Sequence, residues 1–156
     1  EVYVSGTLGD AAGALAILQD KWRPTPEHAE YLLDRFNRPR ARIDLGMELL
    51  GRASAAIDIS DGLLADAGHM AAASGVKICI ETDLLPLSSA LSSHHSREQI
   101  LQWALTGGDD YELCFCLPAG EPMPAGCTRI GRVEAGAGVD CGLAIDIPAG
   151  YQHFSD

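Results

Sequence analysis

Ala56-Ile57-Asp58-Ile59-Ser60-Asp61-Gly62-Leu63 is the stretch on which the reading of this chain turns. Its apolar lead, residues 55–59, predicts a buried strand running straight into a helix that begins at Asp61 or Gly62. Two carboxylates and a hydroxyl thus stand at the joint between an apolar strand and an apolar helix. Open α/β sheets hold ligands at the carboxyl ends of their strands. Ser60 or Asp61 is placed to cap the helix by accepting from its free N–H groups. Asp58 has no such duty. Two readings fit: an N-cap beside one solvated aspartate, or a rigid set of the hard oxygen ligands that Mg²⁺ takes together with substrate phosphates.

Outward from this joint, Leu63, Leu64, Ala67, Met70 and Ala71 mark the buried stripe of a helix that stops at Gly75. His69 follows Asp66 by three on one face and reads as a structural hydrogen-bonding group. Residues 76–81 alternate as a strand. Upstream, residues 2–5 form an opening strand, and Gly6-Thr7-Leu8-Gly9 leads into a helix over 11–18. Those glycines match neither a P-loop nor the dinucleotide fingerprint, so they and Gly13 are read as packing. Pro26 opens a helix over 27–37, and a third helix covers about 45–52. Arg35, Arg38, Arg40 and Arg42 form a basic cluster, either a phosphate contact or a solvated helix end.

Downstream, residues 84–88 form a loop that opens a short helix, 92–96 a polar linker, and 98–105 a helix. The histidines of the linker, His94 and His95, have no partner at metal-ligand spacing. Thr106-Gly107-Gly108-Asp109-Asp110-Tyr111-Glu112-Leu113 then feeds a strand over 113–117 and repeats the chemistry of the first joint. Taken alone it reads as a glycine C-cap with an acidic turn. Residues 128–133 and 143–147 predict closing strands around a glycine-rich turn. The order βαααβαβααβββ predicts a layered α/β/α domain with a mixed sheet covered by helices.

At 156 residues the chain has the length of one domain, with 47% hydrophobic and 21% charged residues. A formal charge of −11 excludes a nucleic-acid backbone as partner, which would need clustered Lys and Arg. No apolar run is long enough to cross a membrane. Five cysteines without framework spacing read as reduced thiols in a cytoplasmic protein. Cys114 and Cys116 share one strand face, so a zinc site there is an outside reading. The first residue is Glu1 and a strand begins at once, which predicts a piece of a longer protein.

Four ordered motifs resemble the C-terminal part of the thiamine-monophosphate kinase family. They are residues 2–12, the run 57–63 with Asp66, Gly68 and His69, the run 107–113, and the tail Gly150-Tyr151-Gln152-His153-Phe154. Asp109 stands where that family usually has Glu. The resemblance implies an ATP-dependent phosphorylation of thiamine monophosphate to thiamine diphosphate, on the fold of the aminoimidazole-ribonucleotide synthetase and selenophosphate synthetase superfamily. It implies two domains with ATP and several Mg²⁺ ions between them, and a homodimer formed mainly through the N-terminal domain, which this chain lacks. By motif position Asp58 and Asp61 hold Mg²⁺, Ser60 touches ATP, and Asp109 and Tyr151 contact thiamine monophosphate. Two other readings stand beside it: another ATP-using enzyme of the same superfamily, and a non-catalytic nucleotide-binding or regulatory module.

Overall fold

Strand β1 (Val2–Ser5) is buried along its whole length because it runs through the interior of a six-stranded sheet. The computed structural model describes residues 1–143. After β1 come α1 (Asp10–Leu18), α2 (Pro26–Asn37), α3 (Ile43–Leu49), β2 (Ala55–Asp58), α4 (Leu63–Ser74) and β3 (Lys77–Ile80). A 3-10 turn at Thr82–Leu84 leads to α5 (Ser89–Ser92), α6 (Arg97–Thr106), β4 (Leu113–Cys116), β5 (Cys127–Glu134) and β6 (Gly138–Asp140). Type for type, this is the order that periodicity predicts.

The strands lie in the order β2-β4-β1-β5-β3-β6. Neighbours pair antiparallel except β3 and β6, which are parallel, so the sheet is mixed as expected. Side chains alternate across the pleat. Val2, Val4, Cys114 and Cys116 face one side, where Leu63, Leu64, Ala67 and Met70 of α4 and Leu101, Ala104 and Leu105 of α6 cover them. Tyr3 and Phe115 face the other, stacked at 5.6 Å and packed with Leu49 at the end of α3. Helices on both faces make the layered α/β/α arrangement. Cys114 and Cys116 are packed within the first of these cores, where burial pushes their thiols up. A third cluster, around Ala14, Leu32, Leu91 and Ile100, joins α1, α2, α5 and α6.

Gly13 serves that junction as expected, for a Cβ there would sit 2.6 Å from Leu91 Cδ2. Among the described residues no helix is long and apolar enough to cross a membrane.

Two expectations are corrected. β2 is an edge strand bonded to β4 alone, ends at Asp58, and leaves Ala56 and Asp58 exposed. Two small alanines can sit at an open edge without a large apolar penalty, so a run that reads as fully buried need not be. The second closing strand is Gly138–Asp140, inside the stretch expected to be a turn. There the chain crosses the end of β3, and Gly136, at φ 140, passes so close that a Cβ would lie 3.1 Å from Lys77 Cβ. Leu143 is outside any strand, and residues 144–147 lie outside the described residues.

Candidate functional site

The two acidic motifs, distant in sequence, run side by side. Ile59 N–H donates to Glu112 O at 2.8 Å, Tyr111 N–H to Ile59 O at 2.9 Å, and Asp109 N–H to Ser60 O at 2.9 Å. The backbones are too close for side chains between them. A Cβ on Gly108 would fall 2.4 Å from Ser60 O, and one on Gly62, already at φ 114, would fall 2.9 Å from Thr106 C and O. The glycines of both motifs are therefore there to let the two runs interlock.

The joint after β2 is held from inside by a residue with no assigned role. Asp66 Oδ2 accepts from the N–H groups of Ser60 (2.9 Å), Asp61 (3.0 Å) and Gly62 (3.1 Å). Burial raises the pKa of Asp66, the hydrogen bonds from Asp61 and Ser60 oppose that rise, and the charge of Asp61 adds to it. This corrects the expected cap. Gly62 is the N-cap of α4, with no side-chain cap bond, because Asp66 reaches back to the turn instead. The Asp61 carboxylate is thereby released to the surface, as Asp58 is, and Ser60 is half-buried beside them.

Asp109 and Tyr111 face the same place. Both have left-handed backbones, φ 65 and 51, which side chains rarely adopt without a constraint. Tyr111 OH donates to Asp109 Oδ1 at 3.2 Å. The charge of Asp109 and that hydrogen bond push the phenol's pKa up, with burial, Asp58 and Asp61 adding to them. Three carboxylates thus gather around one phenol on an exposed surface. Asp61 also brings a ligand atom within 4.8 Å of one from Asp66 and one from His69, a cluster able to hold a metal ion. His69 is exposed, at the rim of this turn rather than in a packed interface.

Asp110 and Glu112, alternating with those two, point inward and build the frame. Asp110 accepts from Gly9 N–H at 2.6 Å and Ala11 N–H at 3.1 Å, pinning the start of α1. Burial lifts its pKa to about 7 against the pull of those N–H groups. Glu112 accepts from Arg42 Nε at 2.7 Å and from the Ser5 hydroxyl, and lies 2.9 Å from Arg35 Nη2. Burial pushes its carboxyl up, but Arg42, Ser5 and Arg35 outweigh that and hold it below its usual value. The basic cluster is therefore divided: Arg35 and Arg42 are tied to a buried acid, while Arg38 and Arg40 are exposed. His94 Nε2 meets His28 Nδ1 at 2.8 Å, and His95 packs edge-on against Trp22 and Trp103. Tyr151 lies outside the described residues.

No protein-family model matches the chain. The thiamine-monophosphate kinase of Aquifex aeolicus (strain VF5) is 43% identical over 157 residues, covering 98% of this chain and 51% of that protein. This chain is a homologue of thiamine-monophosphate kinase. The Escherichia coli (strain K12) thiamine-monophosphate kinase is 50% identical over 118 residues, 75% of this chain and 36% of that one. A solved structure described as AaThiL complexed with AMPPCP and TMP superposes with a TM-score of 0.86 at 42% identity, covering 98% of this chain and 50% of that one. The chain spans about half the length, or less, of these thiamine-monophosphate kinases.

Proposed function

We propose that this chain is the C-terminal domain of a two-domain enzyme that transfers the γ-phosphoryl group of ATP to thiamine monophosphate, giving thiamine diphosphate. The observation that carries the reading is the likeness, over 98% of the chain, to a structure that holds AMPPCP and TMP together. The acceptor is a phosphate monoester with a second pKa of about 6. It is largely ionised near neutral pH and needs little help from a base. Catalysis is then alignment and charge neutralisation.

The surface around Tyr111 suits that task. Asp58 and Asp61 offer exposed carboxylate oxygens without hydrogen-bond partners among the described residues, on a turn that Asp66 holds rigid. They are the ligands for Mg²⁺, which prefers such oxygens and keeps room for phosphate. A bound Mg²⁺ would supply neutralisation of phosphate charge. Ser60, between them, turns its hydroxyl to ATP. Asp109 faces the thiamine end of the acceptor, where its negative charge suits a cationic thiazolium. Tyr151 contacts thiamine monophosphate through its aromatic ring, by stacking or cation–π attraction. The remaining half of the protein supplies the other phosphate contacts and a homodimer interface, and the enzyme works in the cytoplasm.

The test incubates the full-length protein with ATP, thiamine monophosphate and Mg²⁺ and follows thiamine diphosphate. Asp109→Ala is expected to raise KM for thiamine monophosphate while leaving that for ATP unchanged, and Asp109→Glu to keep activity. No product from the full-length protein would sink the reading. Equal KM in wild type and Asp109→Ala would remove that residue from the pocket.

A further inference from the structure

Four of the eleven Lys and Arg residues of this acidic chain gather around one cavity. Arg35, Arg38, Arg40 and Arg42 line it with Thr7 and Tyr31, around about 420 Å³ of space. The carboxylates of the lining are Asp34 and Glu112, so four cations face two anions. Counting buried Asp10 as well, whose Oδ2 lies 3.6 Å from Arg35 Nε, the cavity keeps an excess of one positive charge. The chain as a whole carries −11.

Two of these arginines are fixed from behind. Glu112 accepts from Arg42 Nε and Nη2 at 2.7 and 2.5 Å and lies 2.9 Å from Arg35 Nη2. A guanidinium carries five N–H groups in a rigid fork, so each arginine keeps donors that Glu112 does not use. Arg35 is held further by Thr7 O, which accepts from its Nη2 at 3.3 Å, and by Asp10 Oδ2, 3.6 Å from its buried Nε. Nearer the surface, Arg38 pairs with Asp34 at 3.3 Å across exposed side chains, an arrangement that solvent readily replaces. Arg40 makes no ion pair among the described residues and is exposed at the lining of the cavity.

We propose that this cavity is an anion site for a phosphate group, with Arg35 and Arg42 at its back and Arg38 and Arg40 at its mouth. Arginine forks match phosphate oxygens two by two, which is the geometry that favours arginine over lysine in such sites. No metal ion is needed, because the positive charge is the protein's own. The site stands independently of the kinase reading. It also borders the acidic surface, since Arg42 lines the smaller cavity that contains Asp58 and Tyr111.

The test titrates inorganic phosphate into the full-length protein without nucleotide or Mg²⁺, observing phosphorus NMR line width. Arg38→Gln with Arg40→Gln removes the mouth and leaves the Glu112 pairs untouched. This double variant is expected to bind phosphate at least tenfold more weakly at an unchanged melting temperature, and with a shallower dependence on salt. Arg40→Lys, which keeps the charge and loses the fork, should fall between the two. Absence of phosphate binding in the wild type, or equal affinity in the double variant, overturns the site. Binding that appears only with Mg²⁺, or that Asp58→Asn abolishes, overturns it too by placing the anion on the acidic surface. Thiamine monophosphate is then added as a competitor to the metal-free protein. Competition shows that the site accepts the phosphate of that compound, and its absence assigns the site to a separate phosphate; the anion site stands on either result.

Discussion

Replacing Asp58 by Asn removes one negative charge from an exposed side chain that makes no hydrogen bond among the described residues. Nothing in the fold depends on that charge, so the melting temperature should stay within a degree or so while kcat of the full-length enzyme falls on the order of 100-fold, as when one electrostatic stabiliser of a transition state is lost. Full activity at limiting Mg²⁺ would make Asp58 a solvated surface residue. Asp66→Asn should behave in the reverse order. Three backbone N–H groups converge on one Asp66 oxygen, and weakening charge-assisted bonds to a buried acceptor costs about 1–3 kcal/mol. The melting temperature should therefore fall, with activity falling because Asp58 and Asp61 lose their placement. Asp110 gives a pH signature. Its folded pKa, about 7, lies above the ordinary aspartate value of 3.8. Between these values the folded state holds a proton that the unfolded state has released, so stability falls as pH rises through the window and levels off above it. The slope from this one group is at most about 1.4 kcal/mol per pH unit. Asp110→Asn should flatten the stability curve between about pH 4 and 7 in chemical unfolding experiments. An unchanged slope would mean that Asp110 is ionised in the fold.

At the scale of elements, the order of strands and helices was legible because each carries its own period: alternation in β3, an apolar stripe in α4, a Pro at the start of α2 and a Gly at the end of α4. Local pattern says little about neighbours in space. Nothing in Ala55-Ala56-Ile57 distinguishes an edge strand from a central one, and β6 is short, glycine-flanked and identified by its pairing with β3. The candidate site was half legible for the same reason. Clustered Asp, Ser and Gly advertise both motifs, but the choice of Asp66 over Ser60 and Asp61 as the group that binds the turn depends on where α4 begins. The inward roles of Asp110 and Glu112 depend on partners about 70 to 110 residues away along the chain. The interlock of the motifs is itself testable. Gly108→Ala drives a methyl to 2.4 Å from a backbone oxygen, where neither side can yield cheaply, and should cost about 1–3 kcal/mol with a loss of activity. Gly46→Ala is the control, since a Cβ there meets nothing within 4 Å and α3 should gain up to about 1 kcal/mol. Equal melting temperatures for the two variants would mean that the runs at 57–62 and 106–112 are not held together by close backbone approach.

For the molecule as a whole, the acidic surface stands beside an apolar one. Ile43, Met47 and Leu50 follow one another at helical spacing along and just beyond α3, each about two-thirds or more exposed. Ile43 shares a cavity of about 350 Å³ with Pro39, Asp58, Tyr111 and Leu113. A contiguous apolar row beside exposed carboxylates is the character of an interface rather than of a free surface. The thiamine-monophosphate kinases that match this chain are about twice its length or more. On the proposed two-domain reading, these two observations favour the second domain as the cover of α3 and as the second wall of the site. Phosphoryl transfer in such a site relies on alignment of donor and acceptor between both walls. The 156-residue chain alone should therefore form no measurable thiamine diphosphate under conditions where the full-length protein turns over. In the full-length protein, Met47→Lys should lower kcat and the melting temperature together, because it places a charge under the covering half. Turnover by the isolated chain at a rate near that of the full-length enzyme would refute the shared site. A Met47→Lys protein unchanged in both respects would leave the α3 row uncovered and move the second wall elsewhere.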